Sequence, residues 1–200
     1  MRVIVVGHIE RMNWIEKLQE VFPTCSAVVD FANRGALEGH IAALSLAHAS
    51  GERCIIMEDD AIPVEGFMEH AANWCSAFPN SLVSFYLGTG RPAAWQARVD
   101  IALEQADDGY ITLPRLIHGV CYSIPANRVA AVLTHIKALG GSDEGADFLI
   151  GRMFGGEIVY PVESLVEHRD DGSIERHPDG EPRIERRVAR TLAAPLMYGR

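Results

Sequence analysis

Three things are scarce in this sequence: paired cysteines, lysine and long apolar runs. Cys25, Cys54, Cys75 and Cys121 are scattered with no C-x-x-C spacing, which excludes a zinc ribbon, a thioredoxin-type motif and a disulfide framework. Cys54 and Cys121 lie inside apolar runs and read as small buried hydrophobes of a reduced, cytoplasmic chain. No stretch approaches the ~20 apolar residues of a membrane span. The apolar run 1–7 is too short for a secretory leader and passes straight into polar residues 8–13. Lys17 and Lys137 are the only lysines, so arginine carries nearly all the positive charge, and the formal net charge is −9. That balance argues against a broad basic face for phosphate polymers, though not against a local patch. Internal repeats are also missing.

What is present is an ordinary globular composition in 200 residues, with 48% hydrophobic and 22% charged residues. Such a length fits one domain and buries roughly 70% of its unfolded surface without a metal or disulfide staple. Short β-branched or apolar runs predict strands over 2–6, 27–30, 54–57, 81–87, 117–124 and 158–160. Between them, apolar residues at helical spacing predict helices over 13–22, 36–48, 66–78, part of 91–108, 125–139 and 147–154. In the second of these, Leu37, Ile41, Leu44 and Ala47 form the apolar stripe, which leaves His40 facing away from it. Ala61, Ile62 and Pro63 break the third strand. Residues 167–180 read as a charged loop, and 182–196 as a helix carrying Arg183, Arg186, Arg187 and Arg190 at spacings of three and four. Alternating strands and helices predict an α/β/α sandwich on a mainly parallel sheet.

Within this pattern the apolar strand 54–57 runs directly into Glu58, Asp59 and Asp60. In open α/β sheets ligands bind at the carboxyl ends of strands. Three adjacent acids repel unless a cation or basic partner is near. Oxygen ligands suit Mg²⁺ or Mn²⁺, which commonly bridge carboxylates to phosphate oxygens. The competing reading is a solvated acidic loop.

The segment from Gly35 to His40, followed by a helix and then by Cys54-Ile-Ile-Met-Glu-Asp-Asp60, resembles family 25 glycosyltransferases. That group includes bacterial lipopolysaccharide and collagen galactosyltransferases. Leu82 to Gly88 resembles the family's next strand, which ends in Leu-Gly. His118-Gly-Val-Cys-Tyr122 resembles its Gly-Thr-x-x-Tyr segment, Asp147 its late aspartate, and Pro161 to Val166 its closing segment. The likeness spans roughly 35–166 in order. Gly39 stands where the family has serine, and the chain is short for a lipopolysaccharide transferase; both departures bear on the acceptor rather than the fold.

The resemblance implies a single-domain, Rossmann-like GT-A fold over 1–166, with 167–200 as a charged loop and arginine-rich tail of the same domain. It implies an inverting, metal-dependent transfer from a nucleoside-diphosphate sugar, UDP-sugar foremost, to an acceptor hydroxyl. Asp60 would ligate Mn²⁺ or Mg²⁺, supported by Glu58, with His168 as a further ligand and Asp147 as general base. Val6, Gly7, His8, Asp30, Asn33, Arg34 and Asp59 would face the donor. His118, beside Gly119, is placed near the acceptor, while Cys121 and Tyr122 read as core.

A glycan is the favoured acceptor. Compact GT-A enzymes of phages also look similar, with tails like His168-Arg169-Asp170, and they imply hydroxymethylated pyrimidine in DNA as an alternative, with Arg183 and Arg187 on its backbone. A non-catalytic nucleotide-sugar-binding domain is a further alternative, one that would not need Asp147. Gly7-His8-Ile9-Glu10 lacks the glycine-rich first loop of nucleotidyltransferases, and the first strand lacks the Asp-x-Asp of haloacid-type phosphatases.

Overall fold

The computed structural model describes residues 1–139, 142, 144–169 and 186–199. Its elements run β1 (Arg2–His8), α1 (Met12–Val21), β2 (Ser26–Asp30), α2 (Ala36–Ser50), β3 (Cys54–Glu58), β4 (Ala61–Pro63), α3 (Phe67–Ala77) and β5 (Leu82–Ser84). They continue with α4 (Ala93–Glu104), β6 (Tyr110–Leu113), β7 (Cys121–Ile124), α5 (Ala126–Leu139), α6 (Ala146–Phe154), β8 (Ile158–Pro161) and β9 (Val166–His168).

Seven strands form one sheet in the order β2-β1-β3-β7-β5-β8-β6. Strands β2, β1, β3, β5 and β8 run in one direction, while β7 and β6 run against them. The fold is a Rossmann-like α/β/α sandwich. Side chains alternate across the sheet because successive Cβ atoms point to opposite faces. Ile4, Val6, Cys54 and Ile56 join a core under α2, α4, α5 and α6, whereas Val3, Val5, Ile55 and Met57 join one under α1 and α3. Each such fully buried aliphatic side chain contributes roughly 1.5–3 kcal/mol of hydrophobic stabilisation. Burial on both faces explains why these strands read as continuous apolar runs rather than alternating ones.

The structure departs from the sequence expectations in four places. Ala61, Ile62 and Pro63 do not merely end a strand: they form β4, which pairs antiparallel with β9 in register Ala61↔His168, Ile62↔Glu167 and Pro63↔Val166. Glu167 and His168, expected in a loop, are therefore buried strand residues. The strand β6 was not expected. It is four residues long, with Ile111 and Leu113 inward and Thr112 outward, and among the described residues it pairs only with β8, at the sheet edge. The strands expected over 81–87 and 117–124 shrink to β5 and β7. The flanking residues stay buried without making ladders.

The helix expected over 182–196 is absent where the chain is described; 182–185 lie outside the described residues, and 186–196 carry no helix. Residues 186–199 instead form an extended strap. It makes isolated bridges at Ala189↔Gly88, Leu192↔Ser164 and Leu196↔Val64. Its backbone donates from Arg190 to Leu87 and from Met197 to Pro63. Ala189, Leu192, Ala193 and Leu196 pack against the core under α1 and α3. That apolar contact wins over helix propensity. Among the described residues no helix is long and apolar enough to cross a membrane.

Candidate functional site

The parallel strands β1, β2 and β3 end at one edge, and the polar residues of the sequence pattern collect there. Glu58 is the last residue of β3; its N–H donates to Val120 O, and the Asp59 N–H donates to Val6 O. The acidic turn is thus clamped between the end of β1 and the loop before β7. The β4–β9 ladder then sets His168 beside it, and the Arg169 N–H donates to Asp60 O at 3.0 Å. One ligand atom each from Glu58, Asp60 and His168 lies within 4.8 Å of the others. Residues 108 positions apart in sequence are made neighbours by a three-residue strand pair.

Asp59 and Asp60 differ sharply despite adjacency. Asp59 turns toward β1, where its Oδ2 accepts from the His8 N–H at 2.9 Å and its Oδ1 from Arg11 Nη1 at 3.1 Å. Gly7 makes room for it, since a Cβ there would meet Asp59 Oδ2 at 2.7 Å. Burial and the Asp60 charge push Asp59 up to about 6, against the pull of His8 and Arg11. Burial would raise Asp60 too, but His168, Arg11 and Arg187 outweigh it and hold that carboxyl well below the usual range. Arg11 Nη1 approaches Asp60 Oδ2 at 2.6 Å, and His168 Nε2 lies 3.3 Å from the same oxygen.

A second cluster forms on the other side of Glu58. His40 Nε2 lies 3.2 Å from Glu58 Oε1, and His40 Nδ1 lies 3.0 Å from the Tyr122 hydroxyl. A carboxylate oxygen accepts, so His40 Nε2–H donates to Glu58, and the Tyr122 hydroxyl lies against the other ring nitrogen. His40 therefore does not face away from the buried side of α2 as expected. The helix packs against both the sheet and α5, so Gly39, His40, Ala43, Leu44 and Ala47 are its buried residues. Gly119 sits among these groups: a Cβ there would lie 2.8 Å from Glu58 Oε1, 3.5 Å from His40 Nε2 and 3.6 Å from Asp147 Cβ. Asp147, in the first turn of α6, accepts from the Phe148 N–H at 2.8 Å. Burial and the nearby Glu58 push it up to about 6, opposed by Phe148 and His40.

The remaining expected residues separate into two groups. Val6, Gly7, His8, Asp30 and Asp59 share the β1–β2 edge, where His8 pairs in register with Asp30. Asp30 accepts from the N–H groups of Ala32, Arg34 and Gly35. These bonds outweigh its burial, hold its carboxyl below the usual carboxylate range and shape the turn in which Asn33 takes φ 53°. Arg34 stays largely solvated, 4.0 Å from Asp30.

His118, expected at the acceptor, is 2% exposed, with Nε2 accepting from the Gly88 N–H and its ring edge-on to Tyr86. Burial, with Arg187 and His168 nearby, pushes it down to about 3, so it is an interior neutral group. Arg187, also expected at the acceptor, points at the acidic cluster, with Nη2 3.2 Å from His168 Nε2. Arg186 donates to Arg169 O, and Arg190 bonds Gln96 and Asp100. The basic row is therefore folded onto the protein rather than spread along one exposed helix face. Arg183 lies outside the described residues.

Two participants were not expected. Arg11 stands one turn after β1 and would have been suspected from a basic residue so close to a strand's carboxyl end. Gly119 carried no sequence signal beyond its place beside His118.

The group Glu58, Asp60 and His168 fits a divalent cation chemically. It offers hard oxygens plus one imidazole, and the buried Asp60 Oδ1 has no hydrogen-bond partner among the described residues. No protein-family model matches the chain, and no curated protein matches it in sequence.

Proposed function

We propose that the chain is a divalent-cation-dependent glycosyltransferase that moves a sugar from a nucleoside-diphosphate sugar, with UDP-sugar foremost, to an acceptor hydroxyl with inversion. The observation that carries this reading is the convergence of Glu58, Asp60 and His168 to within 4.8 Å, with Asp147 just across Gly119.

Glu58, Asp60 and His168 would hold Mn²⁺ or Mg²⁺, which supplies Lewis-acid neutralisation of a diphosphate leaving group. Asp59 fixes the approach of β1 to the acidic turn, through His8 N–H. The β1–β2 edge with Gly7, His8 and the rigid Asp30 turn offers backbone groups to a nucleotide. Asp147, raised to about 6, is poised to take a proton from an acceptor hydroxyl near neutral pH. A neutral glycan is the acceptor favoured here, because Arg186 and Arg190 of the strap are bonded to the protein.

The test is donor hydrolysis with Mn²⁺ across a panel of nucleotide sugars, repeated with excess EDTA. Slow, metal-dependent hydrolysis of one donor is expected. Full turnover in EDTA, or no hydrolysis of any donor, would overturn the reading.

A further inference from the structure

Two guanidinium groups stand on the atoms that a cation would use. Arg11 Nη1 lies 2.6 Å from Asp60 Oδ2 and 3.1 Å from Asp59 Oδ1. Arg187 reaches in from the strap, with Nη2 3.2 Å from His168 Nε2, and that same Nε2 lies 3.3 Å from Asp60 Oδ2.

These contacts conflict. A guanidinium only donates, so a hydrogen bond from Arg187 needs the Nε2 lone pair, and that lone pair then faces a carboxylate oxygen. If Nε2 instead carries a proton and donates to Asp60, Arg187 meets it N–H against N–H. Whichever state His168 takes, one contact is unfavourable. A cation bound to Nε2 and the carboxylates would remove the conflict, because it uses both lone pairs and the guanidiniums withdraw. Asp60 Oδ1, buried and without a partner among the described residues, offers one more lone pair to it.

We propose that Arg11 and Arg187 are placeholders for the divalent cation, and that on leaving the acids they bind the phosphate oxygens arriving with it. The inference rests on the cation site of the preceding section. Two guanidinium charges beside Glu58, Asp59 and Asp60 disfavour a dication arriving alone, and beside a bound dication they add positive charge that suits the oxygens of a diphosphate. The two arginines thus relieve repulsion among the acids, oppose metal alone and favour metal together with diphosphate. Arg187 also makes the C-terminal strap a part of the site.

The experiment is an Mn²⁺ titration followed by electron paramagnetic resonance, without and with inorganic pyrophosphate, on wild type, Arg11→Gln, Arg187→Gln and the two Arg→Lys variants. Circular dichroism checks that each is folded. Wild type is expected to bind Mn²⁺ weakly alone and on the order of tenfold more tightly with pyrophosphate, an ordinary coupling between two ligands. Each Gln variant should bind Mn²⁺ alone on the order of tenfold more tightly and lose most of the pyrophosphate coupling. The Lys variants, which keep the charge, should return toward wild type. Opposite movements of metal affinity and coupling distinguish this role from loss of packing, which would weaken both. Mn²⁺ binding by wild type with no tightening in the Gln variants overturns the placeholder role alone. Absence of Mn²⁺ binding in every protein overturns the cation site as well.

Discussion

Glu58 stands between two pockets of opposite electrostatic character. Toward β4 and β9, Asp60 is surrounded by Arg11, His168 and Arg187, and its carboxyl is held ionised far below the usual range. Toward α2 and α6, Asp147 faces Glu58 with the backbone N–H groups of Phe148 and Asp147 itself and the neighbouring His40 against it, and it rises to about 6. Both carboxyls feel burial as the leading effect, so desolvation does not explain the difference. The cations do. One pocket maintains negative charge for a ligand to meet, while the other maintains a carboxyl that can change protonation near neutral pH. A pair of acids pushed apart by their surroundings is the usual basis for separate roles in one site.

The largest expected effect comes from removing the acid of the charged pocket. Asp60→Asn should abolish Mn²⁺ binding and bring turnover to background, since the metal's charge stabilisation is worth several kcal/mol. An active Asp60→Asn protein that still needs Mn²⁺ would break the assignment of this pocket.

Asp147→Asn should leave Mn²⁺ and donor affinity intact and lower kcat by ~10²–10⁴-fold. In the wild type the base form grows as pH rises through about 6, so kcat/KM should climb across that point and then level. The Asn variant should lose the climb, while Asp59→Asn, whose carboxyl also sits at about 6, should keep it. The stability signs are opposite for the two pockets. Asp147, raised on folding from an ordinary 3.8, contributes stability that is present below about 4 and lost as pH rises through about 6. Asp60, lowered on folding, contributes stability that is present above about 4 and lost as pH falls. Chemical denaturation of wild type and the Asn variants at about pH 2, 3, 4, 6 and 8 reads both slopes.

Gly119→Ala couples the two pockets. Its Cβ would come within 2.8 Å of Glu58 Oε1, so Glu58 must shift. Turnover should fall about tenfold, Mn²⁺ affinity should fall with it, and stability should drop by about 1 kcal/mol from overpacking. A change in turnover without a change in Mn²⁺ affinity would show that Glu58 serves only the Asp147 side.

The smallest effect concerns the acceptor. With Arg186 and Arg190 bonded to the protein, KM for the acceptor should change less than about twofold between ~50 and ~200 mM salt. A steep decline of binding to hydroxymethylated DNA over that range would point to a phosphate-tracking surface instead.

How much of this was legible in the sequence follows from the range of the interactions. Runs such as Val3 to Val6 and Cys54 to Met57 announce strands buried on both faces, because covering helices leave no place for polar alternation. Glu58, Asp59 and Asp60 at the end of such a run announce a polar edge. The short strands β6 and β9 were not legible: three or four residues carry no period, and their pairing comes from partners far along the chain. The arginine row misled for the same reason. Spacings of three and four describe a helix face only if the backbone is helical, and here Ala189, Leu192 and Leu196 find more burial in an extended strap.

By itself the sequence determined the alternating α/β architecture and the acidic turn at a strand end, because periodicity and local charge act over a few residues. It named His168 and Asp147 only through resemblance. Tertiary structure alone decided that His168 meets Asp60 through the β4–β9 ladder, that Arg11 and Arg187 close on the same acids, and that His40 turns inward to Glu58. The physical reason is burial. Once these charged groups are brought together away from water, each is fixed by whichever partner can satisfy it, and that partner is set by strand order and packing rather than by proximity in the chain.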